Sequence, residues 1–219
     1  MGSTHRAGAV ERMRSHLNQF DWSAQSASRR LALEAFLRLA NVHGFAAVTM
    51  RMLAKELNIK APSLYAHFPD GKDEIVGDSL RWHFTKFGEA VLEAVQEAAT
   101  PEAFWNAMVE VHVRRQVELP ESNLWDLLVA TDASVHFLPA DLRRDVDALV
   151  ALYEDMYRAA AEDMGHEVSS DVLALVMTVL EGATRWCRSG PLDAGVARAV
   201  QVSHAFLRLP AVSEEALHR

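Results

Sequence analysis

Apolar residues recur along this chain at intervals of three and four, and no stretch alternates convincingly at intervals of two. That is the period of a helix with one buried side, so the pattern predicts helices from end to end and no sheet. Val10, Met13, Leu17 and Phe20 predict a short amphipathic helix. Residues 21–28 break the pattern as a linker, with Ser26 or Ser28 able to cap the helix that follows. Over 31–42, Leu31, Ala35, Phe36, Leu39 and Ala40 share a face, and His43-Gly44 is a glycine stop. Thr49 is a good N-cap for a helix over 50–57, with Met50, Leu53, Ala54 and Leu57 on its buried side. Asn58-Ile59 then reads as a tight turn. Pro62 sits in the first turn of the next helix, where a missing N–H costs nothing. Leu64, Tyr65 and Phe68 can pack back there, while Lys60, Ala61, Ser63 and His67 stay outward.

Asp70-Gly71 closes that segment and opens a long helix to about residue 98, whose first turn carries Asp73 and Glu74 at the positive helix end. Further helices are predicted over 101–118, 121–133, 139–164, 169–188 and 193–209. Pro101, Pro120, Pro139, Gly165 and Gly190-Pro191 separate them. The chain thus reads as all-α, with an N-terminal extension (1–25), a three-helix helix-turn-helix domain (26–72), a larger helical domain (73–210) and a fraying tail (211–219). The total is about nine helices plus the extra N-terminal one.

Composition narrows the class. The 219 residues are half hydrophobic, enough to bury a sizeable core. The single cysteine, Cys187, cannot form an intrachain disulfide. No apolar run reaches the ~18 residues of a membrane helix, and no apolar segment follows the charged N-terminus as in a signal peptide. The expected location is the cytoplasm, with no membrane partner. The net charge of −8 hides an asymmetry: residues 1–60 hold 9 Lys/Arg against 4 Asp/Glu, and residues 61–219 hold 13 against 26. A basic head on an acidic body points to a polyanion partner for the head alone.

A helix entering a DNA groove needs short side chains on its leading face and a few donors. Ala61, Pro62 and Ser63 are short; Lys60, Tyr65 and His67 can donate. Thr49 and Arg51 open the preceding helix, where free N–H groups and the helix dipole favour a phosphate. Lys55, Lys72, Arg29 and Arg30 add charge of no particular specificity. Some of these have a plainer use: Thr49 is a cap regardless of DNA, Tyr65 is half core and half contact, and solvation is the competing use for Lys55 and Lys72.

Arg30, Ala35, Phe36, Gly44-Phe45, Thr49, Leu53-Ala54, Leu57, Ile59, Leu64-Tyr65, His67-Phe68 and Lys72 together resemble the N-terminal pattern of the TetR family of transcriptional regulators. The run Pro62-Ser63-Leu64-Tyr65-Ala66-His67 is similar to the tetracycline-repressor type of recognition helix. The resemblance covers residues 28–80 and implies a regulator, most simply a repressor, that binds double-stranded operator DNA as a homodimer and responds to a small-molecule effector, without a cofactor. Pro69-Asp70-Gly71 departs from the family by one extra residue before Lys72. The segment before Arg29 is longer than usual and is open to three readings: an arm on DNA, a packing helix or a disordered tail.

One head offers few base contacts, so a two-fold dimer reading a palindrome is expected. The last two predicted helices carry the widest apolar surfaces, and the resemblance implies that they pair between subunits, through Val176, Leu180, Ala183, Val200, Ser203, Phe206 and Leu207. The resemblance also implies an effector cavity in the body. Trp105, Met108, His112, Trp125, Tyr153, Tyr157, Met177 and Trp186 are its candidate lining, since an apolar wall with a few polar groups is the usual composition; simple core is the competing use for most of them. His112 shares a helix face with Trp105 and Met108 and is the first candidate to orient a ligand; His83, Asn106, Arg115 and His136 follow. No metal site is expected, since Glu110-x-His112 lacks a third ligand and no Cys-x-x-Cys occurs. No nucleotide or nucleophile motif appears either, so an enzyme is not expected. Outside regulation, the runner-up is a helical small-molecule binder without operator-specific DNA binding.

Overall fold

The computed structural model describes residues 4–209 apart from 21, 120, 123–125, 127, 131, 133–137 and 188–189. Of the predicted helix over 121–133, residues 121, 122, 126, 128–130 and 132 are described and are helical, while Trp125, His136 and the tail lie outside this set. Among the described residues every regular element is helical: α1 (His5–Leu17), a 3₁₀ turn (Trp22–Ala24), α2 (Ala27–His43), α3 (Met50–Glu56), α4 (Ala61–His67), α5 (Lys72–Val95), α6 (Pro101–Glu118), α7 (Ala140–Asp163), α8 (Ser170–Glu181), α9 (Ala183–Trp186) and α10 (Leu192–Phe206). No helix among them is long and apolar enough to cross a membrane.

The chain forms two compact units. One combines Met1–Arg14, Ala90–Glu118 and Val150–Arg219; the other combines Ser15–Glu89 and Leu119–Leu149. Helices α1, α5 and α7 each contribute residues to both.

The unit built on Ser15–Glu89 holds the helix-turn-helix. Ser26, not Ser28, caps α2, its hydroxyl accepting from the Arg29 N–H at 3.2 Å. The buried side of α2 is Ala32, Leu33, Ala35, Phe36, Leu37 and Ala40. Leu31, expected on that face, is 54% exposed. The real stripe is offset because it closes on Leu53, Leu64, Phe68 and Ile75, each at most 1% exposed. Burying a side chain of that size stabilises by roughly 1.5–3 kcal/mol, so this cluster holds against α2 two seven-residue helices, α3 and α4, that would not persist alone. Gly44 ends α2 at φ 78, its N–H bonding the Ala40 carbonyl at 2.8 Å. Asn58, at φ 53, makes the turn between α3 and α4; asparagine tolerates that left-handed conformation better than most side chains.

In the other unit, α6 packs against α8, α9 and α10. The single helix expected over 169–188 is two. At Gly182 the chain tightens, its N–H bonding the carbonyls of Thr178 and Leu180, and α9 restarts at Ala183. The indole N–H of Trp186 donates to the Val179 carbonyl at 2.9 Å, spanning the break. Helix α1 answers the question of the N-terminal extension: it packs. Ala9 and Met13 are fully buried. His5 pairs with Glu162 (2.7 Å), Arg6 with Asp163 (2.8 Å) and Arg12 with Asp155 (2.5 Å), all on α7.

Candidate nucleic-acid interface and buried polar core

Thr49 caps α3, accepting from the Met52 N–H at 3.2 Å, and remains exposed beside exposed Arg51. The free N–H groups of α3 and the Arg51 cation therefore lie together at one helix start, as phosphate binding needs. On α4, Lys60, Pro62 and Ser63 are exposed, Ala61 and His67 half-buried, and Leu64 and Phe68 buried. Tyr65 is 47% exposed, more outward than a residue shared equally with the core. The leading face is thus short side chains flanked by Lys60 and Tyr65.

Other cations are differently placed. Lys72 is half-buried and donates to the Ala46 carbonyl at 2.9 Å, tying the start of α5 to the loop before α3. Arg30 donates to the carbonyls of Gln25 (2.6 Å) and Trp22 (3.3 Å). Arg29 bonds the His67 carbonyl, Glu74 and Asp78, and lies over the Phe68 ring at 4.2 Å. Burial opposes its charge, but the bonds to Glu74 and Asp78 outweigh that and raise its pKa. Arg6 and Arg12 are bound to acids on α7. Much of the basic excess in residues 1–60 is therefore spent on structure; Arg51, Lys55 and Lys60 are the cations left exposed on α3 and at the start of α4.

In the other unit, four candidate effector residues meet in one buried network. The Trp105 indole donates to the Ser203 hydroxyl at 2.9 Å and stands edge-on to Tyr157, with centroids 4.7 Å apart. The hydroxyls of Tyr157 and Tyr153 are 3.2 Å apart, and Tyr153 reaches His112 Nδ1 at 3.0 Å. Burial lowers the His112 pKa to about 4, so the ring is neutral near pH 7. Burial likewise raises both tyrosines. The result is a set of neutral, directional groups able to orient a ligand, with the Glu181 charge also acting on Tyr153. Met108 and Met177 are buried on α6 and α8. Trp186, 38% exposed, lies outside the network at the α8–α9 break, and Trp125 lies outside the described residues. A groove of about 560 Å³ runs between α1 and residues at the end of α5 and start of α6, lined by Arg6, Val10, Arg14, Leu92, Val95 and Phe104. No group of three or more potential metal ligands occurs among the described residues.

The dimer candidates differ in burial. Val176, Leu180, Ala183, Ser203 and Leu207 are buried within the protomer, and Val200 and Phe206 are half-buried. The five buried residues are covered by their own chain, whereas Val200 and Phe206 keep part of their surface open. The open side of α8 carries Ala174, Leu175 and Thr178, with Leu175 46% exposed, and Trp186 follows on α9. A helix that is apolar nearly all round does not disclose from sequence which side its own chain covers.

A helix-turn-helix with a short-sided, cationic leading face, joined to an all-helical body, defines a DNA-binding transcriptional regulator. The family model for bacterial regulatory proteins of the tetR family matches residues 32–78, so this segment carries the family's N-terminal domain. No curated protein matches the sequence. Among solved structures, a tetR-family regulatory protein from Rhodococcus RHA1 is 12% identical with a TM-score of 0.72, covering 84% of this chain and 98% of its own. AibR, solved with isovaleryl coenzyme A and operator DNA, is 18% identical with a TM-score of 0.65, covering 80% and 96%. A structure named as the superantigen pfit is 22% identical with a TM-score of 0.65, covering 89% and 98%. At these identities the likeness is one of fold.

Proposed function

We propose that this regulator is a repressor. In this reading it binds a palindromic duplex operator as a homodimer and leaves it when a small, largely apolar effector occupies the body. The observation that carries the reading is the exposed face of α4, where Pro62 and Ser63 stand forward with Lys60 and Tyr65 beside them. The buried Trp105–Tyr157–Tyr153–His112 network supports the ligand half. A wholly apolar core would have no need of it, and neutral donors in a dry surround suit an apolar molecule with one polar handle. The AibR complex supports the pairing of the two halves, since that fold holds both a ligand and its operator.

The mechanism is a shift of population. The effector favours a placement of the two heads whose spacing no longer fits successive major grooves, and DNA is released. The dimer surface is the open side of α8 and α9, led by Leu175 and Trp186. The test is selection of duplexes from a random-sequence library by the purified protein. Enrichment of a palindrome, with affinity falling steeply as salt rises, is expected. If no sequence is enriched and binding stays weak at every salt concentration, the chain is a helical ligand-binding protein instead.

A further inference from the structure

The C-terminal end of the recognition helix is held by a side chain that is itself shared. Arg29 bonds the carbonyl of His67, the last residue of α4, and covers the Phe68 ring. It is fixed there by Glu74 at 2.7 Å and Asp78 at 2.5 Å, both on α5. Glu74 also accepts from the Asp70 N–H at 3.1 Å, so the same carboxylate holds the turn after α4. The second oxygen of Asp78 lies 3.8 Å from Arg81, whose Nε and remaining Nη bond Asp145 (2.7 Å) and Asp141 (2.8 Å) near the start of α7. Arg29, Asp78, Arg81 and the two α7 acids therefore form one run of alternating charge. All of it lies within the unit that contains the helix-turn-helix. Arg29 Nε is buried without a hydrogen-bond partner, so the arginine depends on its two carboxylates to stay in place.

We propose that this run is a positioning device, in which residues 141–145 of α7 set how firmly the recognition helix is seated by deciding which arginine holds Asp78. While Asp141 and Asp145 engage Arg81, Asp78 is left mainly to Arg29, and the His67 carbonyl stays bonded. When the α7 acids withdraw, Arg81 turns to Asp78 and competes with Arg29, and the end of α4 loosens. The effect on DNA rests on the reading of α4 as the helix that enters the groove; the charge competition itself does not.

The competition gives changes of opposite sign, which a merely structural ion pair would not. Hydrogen exchange in the free protein is measured at the amides of residues 64–71, with amides of α6 as the internal control. In D141N/D145N, Arg81 is freed, and exchange at 64–71 should rise about two- to fivefold, the scale of a partly exposed ion pair. In R81Q the competitor is gone, and exchange there should fall by about twofold. The triple variant should follow R81Q, because withdrawal of the acids acts only through Arg81. Should D141N/D145N fail to fold, D145N with R81Q/D145N makes the same comparison. Equal loosening by R81Q and D141N/D145N, or no change at 64–71 relative to α6, overturns the proposal. Binding to a duplex selected by the wild-type protein should weaken in D141N/D145N and strengthen in R81Q. Failure to select any duplex would count against the regulator reading and leave the exchange result to decide this one.

Discussion

Trp105 on α6 and Ser203 on α10 share a buried hydrogen bond of 2.9 Å, and the same indole stands edge-on to Tyr157 of α7. Three helices are thus registered by one side chain. The Ser203 hydroxyl also donates to the Val200 carbonyl at 2.9 Å, so it is oriented by its own helix before it meets the indole. Ser203→Ala should leave a buried N–H without its acceptor and cost about 1–3 kcal/mol. The measurement is the urea unfolding midpoint, with the unfolding slope unchanged. An unaltered midpoint would mean that Trp105 does not depend on this bond.

His112 should make stability depend on pH. Its folded pKa of about 4 lies below the ordinary 6.5 because burial disfavours the imidazolium. The unfolded chain therefore takes up a proton between these values that the folded chain refuses. This contribution is fully present above about pH 6.5 and is lost as pH falls toward 4, at most about 3 kcal/mol from this group. Unfolding of the wild type and of His112→Gln from pH 7 to 4.5 is the check. The variant should show a shallower decline, and parallel curves would refute the assignment.

The open side of α8 and α9 should be separable from the buried one. Leu175→Glu should yield folded monomers in sedimentation, because the charge lies on an exposed position of one protomer. Val176→Ala, one residue on, should leave association intact and cost about 1–3 kcal/mol as a core truncation. A dimer that survives Leu175→Glu would return the interface to some other surface.

Lys60 and Lys72 should differ in how they respond to salt. Lys60 is exposed, whereas the Lys72 ammonium is engaged by the Ala46 carbonyl. With a duplex selected by the wild type, Lys60→Ala should lower the slope of log affinity against log salt by about 0.9, one phosphate contact. Lys72→Met should leave the slope near its original value and reduce stability by about 1 kcal/mol. Equal losses of slope would place both ammonium groups on phosphate.

The helices, the cap at Thr49 and the turn at Asn58 were legible because each is decided within a few residues, and the cap of α2 was narrowed to Ser26 or Ser28. A hydroxyl three positions before a free N–H, or an asparagine where the chain must turn left-handed, acts locally. The break at Gly182 was less so: glycine inside an apolar run reads equally as tolerated or as a stop. The buried network was visible only in part. Trp105, Met108 and His112 share a face by spacing alone, but the meeting of His112 with Tyr153, and of Trp105 with Ser203, depends on which helices lie against α6.

By itself the sequence determined that this protein is a bundle of helices with a short-sided, cationic helix-turn-helix near its start, because helical period, capping and side-chain size are properties of neighbouring residues. Only the tertiary structure decided which charges are spent. Arg6, Arg12, Arg29 and Arg81 look alike along the chain, yet each is committed to acids elsewhere in it: Asp163, Asp155, Glu74 with Asp78, and Asp141 with Asp145. It also decided which side of α8 faces inward. Both outcomes are set by packing between segments distant in sequence, and neither the reach of an arginine nor the covered side of an apolar helix is encoded in the residues beside it.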